Sequence, residues 1–150
     1  MRGKHVSTFK KPLLTNAGKV PLVAVVDDDE SVRLAVHRLV CAAGMNAVEY
    51  ASGEELIRDF CEQRAQAVDC IVLDLQMLGM NGLQTAEWLT QFGIQTPMVF
   101  ISGGDENTVQ ALGGPADLPW IRKPFDDAVL LPAIEAAIKV HEVTRLRSSC

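Results

Sequence analysis

The chain has 150 residues, 48% of them hydrophobic, and a net charge of −5, a length at which a single globular domain is expected. It contains no run of about 18 apolar residues, and its start lacks the apolar stretch of a signal peptide, so we expect a cytoplasmic protein without a membrane span. Residues 1–20 carry five basic and no acidic side chains, whereas the rest of the chain carries nine basic and nineteen acidic ones. These charges predict a basic flexible N-terminal extension over residues 1–20 and an acidic body that does not bind nucleic acid directly.

The four cysteines are Cys41, Cys61, Cys70 and Cys150. They show no C-x-x-C spacing, which excludes the usual zinc-knuckle and redox motifs. We therefore expect free thiols in a reducing compartment.

From residue 21 onward, short apolar runs alternate with longer amphipathic stretches. The valine-rich run at 21–26 predicts a strand that is buried on both faces. Residues 30–44 repeat apolar side chains every three or four positions, which predicts a helix that ends at Gly44. A weak strand is predicted at 45–51 and a second helix at 52–63.

The middle of the chain repeats this alternation. The run "DCIVLDL" at 69–75 predicts a second strongly buried strand, and a turn-rich stretch follows it. Residues 83–92 have the apolar spacing of a third helix. The run at 96–102 predicts another strand, which ends in a serine and two glycines.

The last third begins with an irregular stretch. Residues 105–112 allow only a short helix, because the glycines and prolines of 113–119 interrupt it. A short strand is predicted at 120–125 and a final helix at 126–143, in which Pro132 is tolerable only near the first turns.

Strand and helix therefore alternate about five times, without an internal repeat. This pattern predicts an α/β fold, a doubly wound five-stranded parallel sheet with helices on both faces. In such a sheet, ligands bind beyond the carboxyl ends of the strands, so the residues that follow each apolar run should meet at one edge.

The predicted strand ends carry a chemically coherent set of side chains. Asp27 and Asp28 follow the first strand, Asp74 ends the third, Ser102 ends the fourth, and Lys123 ends the fifth. Clustered carboxylates suit a hard divalent cation, and Mg²⁺ also accepts phosphate oxygens. The set therefore points to phosphoryl chemistry with Mg²⁺ as cofactor.

Four motifs, "VVDDDESVR", "VLDLQMLGMNGL", "FISG" and "IRKPF", stand in order along the chain. Together they resemble the signature set of two-component response regulator receiver domains, and the first is most similar to the nitrogen-fixation type of regulator. The resemblance implies a flavodoxin-like receiver fold over residues 21–143, with 144–150 as a C-terminal tail. It also implies that an aspartate takes a phosphoryl group from a histidine kinase or phosphotransfer protein.

Carried over to this sequence, the resemblance implies that Asp74 is the phosphoacceptor. The implied Mg²⁺ ligands are Asp27, Asp28, Asp74 and the backbone carbonyl of Gln76. The implied phosphate-binding and switch residues are Ser102, Gly103, Lys123 and Trp120. Asp29 and Glu30 stay outside the chemistry and are expected to begin the first helix, where negative charge is favourable.

The chain departs from the family pattern at two places. Leu78 stands where the family usually has a proline, four residues after the acceptor. Residues 113–119 contain two glycines and two prolines in the region where the family has a full helix, so the fourth helix is predicted to be short or irregular.

Several functions remain compatible with the sequence. The resemblance implies a signalling domain that assists its own phosphorylation and dephosphorylation and is not otherwise an enzyme. It would be a single-domain response regulator or a phosphate sink, with a receiver fragment of a longer transcriptional regulator or hybrid kinase as the alternative. A constitutive, unphosphorylated binding module and homodimer formation also remain open.

A phosphatase with an aspartate nucleophile is the rival enzyme. It would need a second aspartate two positions after the first, but Asp74 is followed by Leu75 and Gln76. The glycine-rich phosphate-binding motifs of nucleotide-binding proteins are absent as well. The downstream partner is expected to be a protein that the sequence does not identify.

Overall fold

The computed structural model describes residue 14, residues 18–62 and residues 67–148. Most of the predicted basic extension therefore lies outside the described residues, as does Cys150. The five strands are β1 Leu22–Val26, β2 Asn46–Tyr50, β3 Cys70–Asp74, β4 Met98–Ser102 and β5 Ile121–Arg122. The five helices are α1 Glu30–Ala42, α2 Gly53–Cys61, α3 Gly82–Gln91, α4 Glu106–Gln110 and α5 Asp127–Ser148.

The strands form one sheet in the order β2-β1-β3-β4-β5, and every neighbouring pair is parallel. Parallel neighbours require crossover connections, which here are the helices. The predicted doubly wound parallel sheet is confirmed. β1 and β3 are adjacent although β2 lies between them in the chain, so the carboxyl ends of the two most apolar strands meet.

The helices cover both faces of the sheet. Val23 and Val25 of β1 share one buried cluster with α1 and α5, whereas Ala24 and Val26 share the other with α2 and α3. This alternation follows from the two-residue period of a strand. Each fully buried valine, leucine or isoleucine contributes roughly 1.5–3 kcal/mol to the stability of this core.

Residues suited to helix capping flank α1 at both ends. Asp29 caps the helix, its carboxylate accepting a hydrogen bond from the Ser31 backbone N–H at 2.9 Å. At the other end, Gly44 has a φ of 87°, the left-handed conformation predicted for it. Asp29 and Glu30 thus stand at the start of the helix, as expected from the sequence.

Two elements differ in length from the sequence-based expectation. β5 has two residues rather than six, because its neighbour β4 pairs with it only at Ile101 and Ser102. α5 extends to Ser148, five residues into the segment predicted as a tail. Pro132 lies in the second turn of α5 and is exposed. α4 has five residues, which confirms the predicted short fourth helix.

Candidate functional site

Three carboxylates converge at the carboxyl edge of the sheet. Asp27 and Asp28 follow β1, and Asp74 is the last residue of β3. The two strands are paired up to Val26 and Leu73, so the next residues stand side by side. One ligand oxygen from each carboxylate lies within 4.8 Å of the others, a cluster that can bind a metal ion. Asp27 is 0% and Asp74 1% exposed, whereas Asp28 faces solvent.

Lys123 provides the positive charge of the site. Its Nζ lies 2.8 Å from Asp27 Oδ2 and 3.2 Å from Asp74 Oδ2. The contact with Asp27 is the shorter of the two. Burial by itself would lower the pKa of Lys123, but the hydrogen bond to Asp27 and the charge of Asp74 raise it, so the ammonium form is favoured.

The backbone at Lys123 is paired with β4. Its N–H donates to the Ser102 carbonyl at 2.8 Å, which continues the pairing of β4 and β5 by one residue. This hydrogen bond holds the lysine at the carboxyl edge even though β5 is short.

Asp74 is electrostatically perturbed. Burial is the main cause and the charge of Asp27 the second, and together they raise the pKa of Asp74 to about 7. Lys123 and the Gln76 N–H, which donates to Asp74 Oδ1 at 3.1 Å, act in the opposite direction. The ionised carboxylate is therefore held at a cost that an added cation would reduce.

Both carboxylate oxygens and the backbone carbonyl of Asp27 accept hydrogen bonds. Its Oδ1 accepts a hydrogen bond from the Asp29 N–H at 2.9 Å, while Oδ2 contacts Lys123. Its backbone carbonyl accepts a hydrogen bond from Arg33 Nη1 at 2.7 Å, and Arg33 Nε lies 3.4 Å from Glu49 of β2. The guanidinium group thus ties the end of β1 to α1 and β2, a contact that the sequence motifs do not reveal.

Ser102 is fully buried at the end of β4. Its hydroxyl donates to Gln76 Oε1 at 3.3 Å and accepts from the Gly104 N–H at 3.1 Å. Gly103 beside it is exposed. The contact between Gln76 and Ser102 joins the loop after β3 to β4, and sequence reasoning, which used only the carbonyl of Gln76, missed it.

Trp120 precedes β5 and is partly buried, with the Arg122 guanidinium 5.9 Å from the centre of its ring. This contact is a cation–π interaction on the side of β5 rather than a contact with the carboxylates. The role of Trp120 as a switch residue stays a prediction.

The loop between β3 and α3 also approaches the site. The Leu78 N–H donates to Asp28 Oδ2 at 3.1 Å, across 50 positions of the sequence. Gly82 begins α3 so close to β3 that a Cβ there would lie 2.9 Å from Leu75 Cα, which requires glycine at this position. The backbone contact of Leu78 has no motif of its own, and its one sequence signal is the absence of proline.

The chain matches the family model described as "Response regulator receiver domain" over residues 23–135. It is 34% identical to Nodulation protein W of Bradyrhizobium diazoefficiens over 125 residues, which cover 82% of this chain and 53% of that protein. It is 33% identical to Response regulator protein TodT of Pseudomonas putida over 124 residues, which cover 81% of this chain and 53% of that protein.

Among solved structures, the response regulator StyR aligns with a TM-score of 0.70 and 31% identity. The alignment covers 87% of this chain and 65% of that one. These similarities, together with the fold and the acidic edge, show that the chain belongs to the receiver domains of two-component response regulators, which are signalling domains. The nitrogen-fixation subtype stays a prediction.

The chain spans about half the length of the curated relatives it matches. In the part of the chain that the structure describes, no helix is both long and apolar enough to cross a bilayer.

Proposed function

We propose that Asp74 accepts a phosphoryl group from a phosphohistidine of a histidine kinase or phosphotransfer protein, with Mg²⁺ as the cofactor. The observation that carries the proposal is the convergence of Asp74 with Asp27, Asp28 and Lys123 at the carboxyl edge of the sheet. Membership in the receiver family supports the same chemistry.

The donor set fits Mg²⁺. Asp27, Asp28 and Asp74 offer carboxylate oxygens, the ligand type that hard divalent cations prefer. The raised pKa of Asp74 supports this, because further positive charge would stabilise its ionised form. These three side chains would hold the ion together with the backbone carbonyl of Gln76. When bound, Mg²⁺ would supply charge that offsets the repulsion between Asp74 and the phosphoryl oxygens.

Asp74 acts as the nucleophile in this proposal. A carboxylate oxygen forms a bond to phosphorus while the bond between phosphorus and the imidazole nitrogen breaks. The electron pair of that bond stays on the imidazole of the donor, which is released neutral after taking up a proton. Asp74 has to be ionised for the attack, and the neighbouring Lys123 favours that state.

Lys123 and Ser102 serve the phosphorylated state. The Lys123 ammonium, now shared between Asp27 and Asp74, pairs with a phosphoryl oxygen. The Ser102 hydroxyl leaves Gln76 and donates to another phosphoryl oxygen, beside the exposed Gly103. Trp120 is assigned the accompanying rearrangement near β5. The conformational signal is thus a shift of a hydroxyl that currently has a protein partner.

The proposal gives the chain a signalling role without turnover of a separate substrate, beyond assistance to its own phosphorylation and dephosphorylation. Its output is contact with a downstream protein, and the receiver domain is assigned to residues 21–143. The constitutive binding module remains the second candidate, because Leu78 and the five-residue α4 depart from the family pattern.

The test is incubation of the protein with Mg²⁺ and acetyl phosphate, read out by intact mass, or with beryllofluoride, read out by NMR. We expect wild type to be modified and Asp74→Asn to remain unmodified. Asp117→Asn, an exposed carboxylate outside the site, is the matched control and should react like wild type. An unmodified wild type would favour the constitutive module, and turnover of a phosphomonoester would favour a hydrolase.

A further inference from the structure

Leu78 contacts the acidic cluster through its backbone alone. Its side chain is 86% exposed, so packing does not explain the residue. Its N–H donates to Asp28 Oδ2 at 3.1 Å, and two residues later the Met80 N–H donates to Glu54 Oε2 at 3.2 Å. The loop after β3 is therefore attached by main-chain donors to two carboxylates from other parts of the fold.

Asp28 differs from the other two carboxylates of the cluster in how it is held. Asp27 and Asp74 are buried and contact Lys123, whereas Asp28 is exposed. The hydrogen bond that the structure gives its carboxylate comes from Leu78. An exposed side chain without such a contact samples several rotamers, and fixing one of them on binding an ion costs conformational entropy.

A carboxylate has two oxygens and room for more than one donor or cation. The Leu78 N–H occupies one acceptor position of Asp28 Oδ2, and a carboxylate oxygen of Asp28 lies within 4.8 Å of oxygens of Asp27 and Asp74. The hydrogen bond therefore orients the side chain without consuming its capacity to bind a cation.

We propose that the backbone N–H of Leu78 orients the Asp28 carboxylate for metal binding, which makes Leu78 a positioning residue. The inference rests on the Mg²⁺ site of the proposed function. A proline at position 78 has no N–H and cannot form this contact. The chain thus orients its exposed carboxylate by a main-chain donor that the usual family residue at this position lacks.

The test compares Leu78→Pro with Leu78→Ala. Both remove the exposed side chain, but only the proline removes the N–H. Mg²⁺ alone is titrated into each metal-free protein, and the dissociation constant is read from backbone amide shifts. We expect the dissociation constant of Leu78→Pro to be roughly 3- to 10-fold higher than that of Leu78→Ala, which is the net contribution of one typical hydrogen bond. Equal constants would overturn the proposal.

A second measurement does not depend on how well the proline variant folds. Hydrogen exchange of the Leu78 amide is followed in metal-free wild type and in Asp28→Ala. We expect faster exchange in the variant, and in wild type we expect Mg²⁺ to leave the amide protected. Equal exchange in both proteins, or loss of protection when Mg²⁺ is added, would overturn the proposal.

Different results would overturn the proposed Mg²⁺ site and the role of Leu78. A wild type that does not bind Mg²⁺ would overturn the proposed metal site and this proposal with it. A wild type that binds Mg²⁺ while Leu78→Pro and Leu78→Ala bind it equally would overturn only the role of Leu78.

Discussion

Two regions of the molecule contribute to the candidate site in different ways. Residues 22–91, the acidic half, contain β1 to β3 in five-residue strands and supply all three carboxylates of the cluster. Residues 98–123, the β4–β5 segment, contain the five-residue α4 and the two-residue β5 and supply Ser102 and Lys123. The carboxylates thus stand at the ends of five-residue strands, whereas the ammonium group follows the shortest strand.

The two regions differ in how much packed structure a local opening would disrupt. Opening a long, buried strand requires the loss of many packed side chains, whereas a short strand and a five-residue helix have little to lose. The carboxylates therefore form the fixed part of the site. Lys123, which is assigned to the response, follows the shortest strand, where less packed structure is lost on opening.

We expect the largest effect from removal of the Lys123 charge. We expect Lys123→Met to lower the free energy of unfolding by about 3–5 kcal/mol at pH 8 without metal, because it leaves Asp27 and Asp74 buried without a counter-charge. Urea denaturation measures the effect, and the exposed Lys139→Met is the control. A loss equal to that of the control would show that the segment contributes no stability to the acidic half.

Truncation of one buried side chain in each region compares their contributions to stability. Ile71→Ala removes a side chain that is 0% exposed in β3, and we expect a loss of about 2–5 kcal/mol. Val109→Ala in α4 removes fewer atoms from a region with less surrounding structure, and we expect about 1 kcal/mol. Equal losses in urea denaturation would contradict the contrast between the two regions.

The free energy of unfolding of Asp74→Asn, measured as a function of pH, tests whether the buried Asp74 carboxylate destabilises the acidic half. The folded-state pKa of about 7 is above the ordinary 3.8, so the folded protein binds a proton more tightly than the unfolded chain. Wild-type stability is therefore greatest relative to the variant below pH 4 and falls as the pH rises through 7. We expect metal-free Asp74→Asn to gain about 1–3 kcal/mol on wild type between pH 4 and pH 8. A constant difference across this range would contradict the assignment.

Mg²⁺ should give the smallest effect. Binding to the folded state raises stability by mass action, and ten times the dissociation constant gives about 1.4 kcal/mol. We expect a higher melting temperature for wild type at pH 8, a smaller rise at pH 5 where Asp74 is protonated, and no rise for Asp28→Ala. A wild type that melts identically with and without the ion would argue against the metal site.

Much of this organisation could be predicted from the sequence. The predicted strand ends identify Asp27, Asp28, Asp74, Ser102 and Lys123 as neighbours, because the strands of a parallel sheet end at the same edge. The short α4 followed from two glycines and two prolines between residues 113 and 119. Each of these features depends on residues that are close together in the sequence.

Other features depend on distances between remote parts of the chain. The contacts of Arg33 with the Asp27 carbonyl, of Gln76 with Ser102 and of Leu78 with Asp28 are absent from any sequence pattern. The closer pairing of Lys123 with Asp27 than with Asp74 belongs to the same group. The extension of α5 to Ser148 was missed because none of the described side chains in its last turns is buried.

This extension of α5 has a mechanical consequence. Ile138 is its last buried side chain, and none of the described side chains after it is buried. The ten residues from there to Ser148 make a lever arm of about 15 Å. A tilt of about 10° at Ile138 would therefore sweep the tip through about 2.6 Å at this rise per residue. The terminal turns would thus convert a small rotation at Ile138 into a displacement nearly as long as a hydrogen bond.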